Sequence, residues 1–268
     1  MAYNLLKGKK GIIFGALDEK SIAWKTALRC VEEGAEIVLT NAPVAMRMGE
    51  INKLAEICNA PVIPADVTSL EDVDNLIVKT LDHFGSGIDF ILHSVGMSMN
   101  VRKSIHYTEN NYDFTHKGLD ISAISLHRVL QTAMKHDAIN EWGSVVALTY
   151  IAAQRVFPDY NDMADAKAML ESIARNFGYF YGQRKKVRVN TISQSPTLTT
   201  AGSGVKGMGD FLSYAEKLAP LGNASADQCA DYTVSLFSDL TRMVTMQNLF
   251  HDGGFSFTGA SHALLEQK

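Results

Sequence analysis

Short apolar runs alternate along the chain with longer stretches of helical periodicity: GIIFG, AEIVLT, APVIPADV, IDFILHSVG, GSVVALTY, VRVNTIS and MQNLFHDGG are the runs. They are continuously apolar and rich in β-branched residues, as expected of strands buried on both faces, and the segments between them carry apolar positions at spacings of three and four. The pattern predicts α/β architecture, a doubly wound Rossmann-like domain with a mostly parallel seven-stranded sheet. Two helices show their ends. Ser21 can cap IAWKTALRCVEE, where Ile22, Thr26 or Ala27, and Cys30 or Val31 keep one face before Gly34 stops it. SLEDVDNLIVKTLDHFG opens with a capping-box pattern, Ser69 with Glu71 and Asp72, and closes at Gly85. No stretch reads as a linker, repeat or low-complexity tract, so residues 1–268 are expected to form a single domain.

Composition narrows the function classes. At 268 residues, 46% hydrophobic and 20% charged, the chain has the makeup of an ordinary globular protein. A net charge of -4 and a pI near 6.1 supply no global attraction to nucleic acid or an anionic membrane. Cys30, Cys58 and Cys229 are odd in number, far apart and without CxxC spacing, which argues against a disulfide framework or a zinc site. The segment MAYNLLKGKKGIIFG lacks the apolar stretch of a signal peptide, and no run approaches the ~18 apolar residues of a membrane span. A cytoplasmic protein, without bound metal, is the expectation.

In an open parallel sheet ligands bind beyond the carboxyl ends of the strands, and the informative residues gather there. After the first strand, GALDEKSIAW offers Gly15 and a helix N-terminus at Ser21 and Ile22 that can hold phosphate, although only one of the three fingerprint glycines is present. The second strand ends in Asn41, Ala42 and Pro43, none of them a ribose-binding acid, with Arg47 a turn further on. Asp66 and Val67 follow the third run, and HSVG, His93 to Gly96, the fourth. Plain strand-end turns would account for each of these singly. In YNDMADAK, Tyr160 and Lys167 stand seven residues apart at the start of a helical pattern. Two turns of helix would put both side chains on one face, roughly 10 Å apart, where the ammonium would favour the phenolate. A packed tyrosine and a solvated lysine give the same spacing.

Taken in order, SIAW, ADV, HSVG, DISAIS, LTYIAAQRVFPDYNDMADAKA, VRVNTISQSPTLTTAGSG and HDGGFS make the chain, from about Leu6 to Ser256, resemble the short-chain dehydrogenase/reductase superfamily. Within it the chain is most similar to the enoyl-[acyl-carrier-protein] reductases of bacterial fatty-acid synthesis, the FabI type. The Tyr-x6-Lys spacing separates that branch from the Tyr-x3-Lys of the wider superfamily. Tyr181 and Lys185 have the latter spacing, but at a helix end that leads into the amino end of the next strand.

The resemblance implies reduction of the trans-2 double bond of an enoyl thioester carried on acyl carrier protein. Hydride would come from NADH, with NADP possible. Tyr160 would donate to the developing enolate, with Tyr150 beside the carbonyl, and Lys167 would hold the nicotinamide ribose. Cofactor contacts carry over to Gly15, Ser21, Ile22, Asp66, Val67, Ser94, Gly96, Lys167 and Thr199, and Ala42 falls where the family places a polar residue near the adenosine. Residues 197–211, with Gly202, Gly204, Gly207 and Gly209, correspond to a mobile substrate-binding loop. The family forms homotetramers through helices that match DISAISLHRVLQTAMKH and AKAMLESIARNFGYF.

Four departures stand out: Lys25 in place of a helix glycine, Ala42, SQSP for SAGP (so Ser195 in place of a glycine), and a loop that keeps Lys206 without further basic residues. They leave room for a shifted substrate or reduced activity; the alternatives are a carbonyl reductase or alcohol dehydrogenase on the same scaffold, and a non-catalytic dinucleotide-binding paralogue in which Lys25 and Ser195 close the site.

Overall fold

The computed structural model describes residues 2–48, 50–200 and 208–265. Strands β1 (Lys10–Phe14), β2 (Glu36–Thr40), β3 (Ile88–His93), β4 (Ile139–Thr149), β5 (Arg188–Gln194) and β6 (Asn248–His251) form one sheet. Their order is β2-β1-β3-β4-β5-β6, and every neighbouring pair is parallel. Among the described residues the sheet therefore has six strands, not the seven expected. The missing one is APVIPADV, which makes a single parallel bridge, Val62 to Leu39. Its backbone does bond to the β2 edge, with Ile63 N–H donating to Leu39 and Ala65 N–H to Asn41. Pro61 and Pro64 have no N–H to give, so no regular ladder develops.

Helices cover both faces, as continuously apolar strands require. On one face α1 (Ile22–Glu32), α3 (Ile51–Cys58) and α10 (Ala226–Phe237) bury Trp24, Ala27, Leu54 and Phe237 against Ile13, Leu39, Leu92 and Ile192. On the other, α4 (Leu70–Phe84), α7 (Ser125–Lys135) and α8 (Asp162–Lys185) bury Leu76, Val129, Leu130 and Leu170 against Ile12, Ile91, Val145 and Val189. Each such side chain contributes about 1.5–3 kcal/mol. Short helices α2 (Pro43–Met48), α5 (Met99–Arg102) and α6 (Tyr112–Leu119), and later α9 (Met208–Leu218) and α11 (His262–Leu265), fill the connections. All three cysteines are buried and unpaired.

The caps follow the sequence signals. Ser21 accepts from Trp24 N–H, and Gly34 stands at φ +91°. Ser69 caps α4 by accepting from Asp72 N–H, and Gly85 closes it in the left-handed region. The reciprocal half of the expected capping box is redirected: the Asp72 carboxylate accepts from Asp66 N–H and so braces the turn before the helix.

A third cluster lies beyond the carboxyl ends of β4 to β6. Tyr150, Ile151, Ala215, Leu218 and Phe255 form it, with Phe157, Tyr160 and Phe211 packed against them. It shares no residue with the two sheet-face cores.

Candidate active site

A cavity of about 330 Å³ opens at the carboxyl ends of β3, β4 and β5. Each strand delivers residues to it as the chain leaves the sheet: Ser94 and Gly96 after β3, Thr149 and Tyr150 at the end of β4, Gln194 and Ser195 at the end of β5. Tyr160, Lys167, Ile22 and Thr199 also line it, so seven of the expected catalytic and cofactor-binding residues line one cavity: Ile22, Ser94, Gly96, Tyr150, Tyr160, Lys167 and Thr199.

Tyr160 reaches the cavity differently from expectation. It ends a 3₁₀ turn, Pro158–Tyr160, and is not part of α8, which starts at Asp162. Between them Asn161 sits at φ 47°, ψ -139°, a conformation that costs a non-glycine residue on the order of 1–3 kcal/mol. The surroundings hold it there. The Asn161 side chain accepts from Asp162 N–H at 2.5 Å and donates to the Ile105 carbonyl at 2.6 Å. Asp162, buried, accepts from Ser98 Oγ at 2.5 Å and Asn100 Nδ2 at 2.7 Å. This polar knot ties the α5 segment to the start of α8, so two turns of helix do not measure the Tyr160 to Lys167 separation.

The Tyr150 and Tyr160 rings lie 5.0 Å apart, centroid to centroid. Burial pushes both phenols well above the ordinary tyrosine range, with the Tyr160 charge adding to the effect at Tyr150. The lysine does not draw Tyr160 toward its anion, contrary to the sequence-based expectation: burial is what moves the phenol, and it disfavours the charged form. Tyr150 is 8% exposed, and its hydroxyl has no partner among the described residues. A buried orphan hydroxyl on a cavity wall is positioned to bond what enters. Lys167 is buried, donates to the Leu148 carbonyl at 2.8 Å, and is brought down to about 8 by burial, against the opposing pull of Glu171. His93, behind the cavity, is held neutral by burial with a pKa near 3, its Nε2 2.9 Å from Ser125 Oγ.

The remaining sequence-derived residues flank the cavity. Gly15, at φ +90°, passes so close to the β3 end that a Cβ would lie 1.9 Å from the Ser94 carbonyl oxygen, so glycine is required by backbone packing alone. Ser21 caps α1, whose first turn carries no acid. Ala42 follows β2, its N–H bonded to the Asn41 side chain. Asp66 is exposed, accepting from Thr68, and Val67 offers its carbonyl to Arg128 at 2.7 Å. Tyr181 lies away from the cavity, in the core beneath α7, where its hydroxyl donates to the Leu130 carbonyl. Of residues 197–211, positions 201–207 lie outside the described residues, including Gly202, Gly204, Lys206 and Gly207. Thr200 donates to Asp18 and so joins the start of that segment to the turn after β1.

With this geometry in place, comparison with known proteins is decisive. The family model described as enoyl-(acyl carrier protein) reductase matches residues 15–256. The chain belongs to that family. It is 34% identical over 260 residues to an enoyl-[acyl-carrier-protein] reductase [NADH] of Rhizobium meliloti, covering 96% of this chain and 94% of the relative. It is 29% identical over 256 residues to the NADH reductase FabI of Bacillus subtilis, covering 94% and 98%. Its structure is similar to the crystal structure of the FabI-NADH complex from Alistipes finegoldii, with TM-score 0.98 and 66% identity over 99% of this chain and 94% of that one.

The departures from the family pattern find local explanations. Lys25 extends to Asp227 on α10, 3.4 Å away, so its side chain bridges two helices. Ser195 turns its hydroxyl to accept from Ala224 N–H at 3.0 Å, and its φ is not positive, so the backbone does not demand glycine there. Gln194 donates to the Ala224 carbonyl and meets His251 Nδ1 at 2.7 Å. Sequence reasoning passed over Phe157, Met163 and Phe211, which supply the apolar part of the wall, and also Glu171, one turn beyond Lys167. Their signals, aromatic residues in RVFPDY and a carboxylate four residues after the lysine, are too common to single out.

Proposed function

We propose that this chain reduces the trans-2 double bond of enoyl thioesters carried on acyl carrier protein, with NADH as the reductant. The observation that carries the reading is the Tyr150, Tyr160 and Lys167 constellation on the wall of one strand-end cavity, in a chain of this family. The cavity fits the dinucleotide. The first turn of α1 carries no acid, and a Cβ placed on Gly96 would meet nothing nearer than Lys167 Nζ at 3.6 Å, so the backbone stays open toward the amine. No acidic residue follows β2 to bind a ribose, and no arginine directly follows LTN to pair with a 2′-phosphate, which supports NADH over NADPH.

When bound, NADH supplies the hydride. The chain's own residues prepare the acceptor. Tyr160 and Tyr150, kept protonated by burial, donate hydrogen bonds to the thioester oxygen as negative charge collects on it, stabilisation that can contribute a few kcal/mol. Lys167 holds the cofactor ribose and keeps the local potential positive. Phe157, Met163 and Phe211 exclude water from the acyl chain.

One domain would carry both sites. No helix among the described residues is long and apolar enough to cross a membrane; the cytoplasm is the compartment that goes with the proposed reaction. Helix α8 leaves Tyr179 49% and Phe180 59% exposed, apolar area consistent with assembly of a homotetramer through α7 and α8. The test follows NADH oxidation at 340 nm with crotonyl thioester and identifies the product. A saturated thioester is expected. A 3-hydroxy or alcohol product, or no turnover despite NADH binding, would overturn the proposal.

A further inference from the structure

Glu171 has no part in the scheme above, yet its buried carboxylate accepts three side-chain hydrogen bonds. It is 4% exposed and stands four residues beyond Lys167 on α8. Oε1 accepts from Thr149 Oγ1 at 2.9 Å and from Asn248 Nδ2 at 3.1 Å, and Oε2 accepts from Gln154 Nε2 at 3.2 Å. All three donors are neutral, so their dipoles solvate a buried carboxylate without cancelling its charge.

Lys167 donates to Leu148 and Glu171 receives from Thr149, so consecutive residues at the end of β4 are gripped by consecutive turns of α8. Tyr150 is the next residue along. We infer that Glu171 is a positioning residue of this site: from beneath, its carboxylate keeps Lys167 a cation and fixes the strand end that presents Tyr150. This inference rests on the function proposed above.

The electrostatics agree. Burial works against the Lys167 ammonium and Glu171 works for it. The other titratable groups facing the lysine are His93 from β3, held neutral, and the protonated phenols Tyr150 and Tyr160. Burial pushes the Glu171 carboxyl above its ordinary range, and the Gln154 and Thr149 hydrogen bonds, with Arg175 and Lys167, pull it back toward the charged form. Glu171 is thus the carboxylate placed to offset the desolvation of Lys167.

The test is a titration of Lys167 in the cofactor-free protein. With ¹³Cε-lysine, its resonance is assigned by loss in Lys167→Arg, and its midpoint is compared in wild type, Glu171→Gln and Gln154→Leu. The glutamine preserves size and most hydrogen bonds while removing the charge. We expect Glu171→Gln to lower the midpoint by about one pH unit, and the alkaline limb of the kcat/KM profile for NADH and crotonyl thioester to fall with it. Gln154→Leu, at an exposed position, weakens support of the carboxylate and should lower the midpoint by a smaller step. A midpoint unmoved in both variants, with wild type turning over, would overturn the inference. An inactive wild type would overturn the functional proposal, while a displaced midpoint there would still uphold the link between Glu171 and Lys167.

Discussion

Replacing Lys167 by methionine should make the protein more stable and inactive at once. The amine is buried, and burial brings its pKa from 10.5 in the open chain to about 8. The sign is that of a base depressed by folding. Below pH 8 both folded and unfolded chains carry the proton, and the native state bears the full cost of burying the charge. Between pH 8 and 10.5 the unfolded chain holds a proton that the native state releases, so stability rises, and above 10.5 the cost is gone. A displacement of that size is worth on the order of 3 kcal/mol. Methionine removes that cost, but forfeits the hydrogen bond to the Leu148 carbonyl at 2.8 Å, a loss of about 1–2 kcal/mol. The variant should therefore gain about 1–2 kcal/mol at pH 7 and become the less stable of the two near pH 10.5. Urea unfolding of both proteins at the two pH values measures the gap directly. A methionine variant less stable than wild type at pH 7, or a gap that does not change with pH, would refute this account of the lysine.

Further predictions separate packing from chemistry. Gly15→Ala should cost more than about 3 kcal/mol in thermal or urea unfolding, because its Cβ would meet the Ser94 carbonyl at 1.9 Å on a residue at φ +90°. Tyr181→Phe should lose about 1–2 kcal/mol by leaving the Leu130 carbonyl unpaired with kcat unchanged, whereas Tyr160→Phe should lower kcat by about 10²-fold with an unchanged melting temperature. Comparing kcat/KM for NADH and NADPH should favour NADH, and Arg47→Ala should leave that preference intact. A wild-type preference for NADPH that collapses in Arg47→Ala would identify Arg47 as the partner of the 2′-phosphate.

Where the code is local, the sequence spoke clearly. Ser21, Ser69, Gly34 and Gly85 end helices where their chemistry says they should, and continuous apolar runs foretold a sheet covered on both faces. The exclusion of Tyr181 also followed from position along the chain, since a helix end leading into a strand lies at the edge opposite the cavity. Tertiary competition was harder to read. APVIPADV has the composition of a strand, and two prolines reduce it to one bridge. Tyr160 and Lys167 have helical spacing, but the Asn161 turn, held by Ile105 and by the Ser98, Asn100 and Asp162 knot, moves the tyrosine off the helix. Ile105, Ser98 and Asn100 lie more than 50 residues away in the chain, and periodicity carries no trace of them. Glu171 went unnoticed for the same reason: its role depends on Thr149 and Asn248, on two other strands.

The three cysteines have a practical corollary. A thiol reacts as its thiolate and only where a reagent can reach it. Burial raises the pKa of Cys58 to about 11 and that of Cys229 to about 12, and Cys30 is pushed higher still. In the native fold none of them competes for a maleimide at neutral pH. One cysteine introduced on the rim of the cavity, at exposed Asp159 for instance, would therefore be the sole thiol that a dye or spin label meets. Distances across the cavity mouth become measurable on the natural cysteine background, with no core residue replaced first.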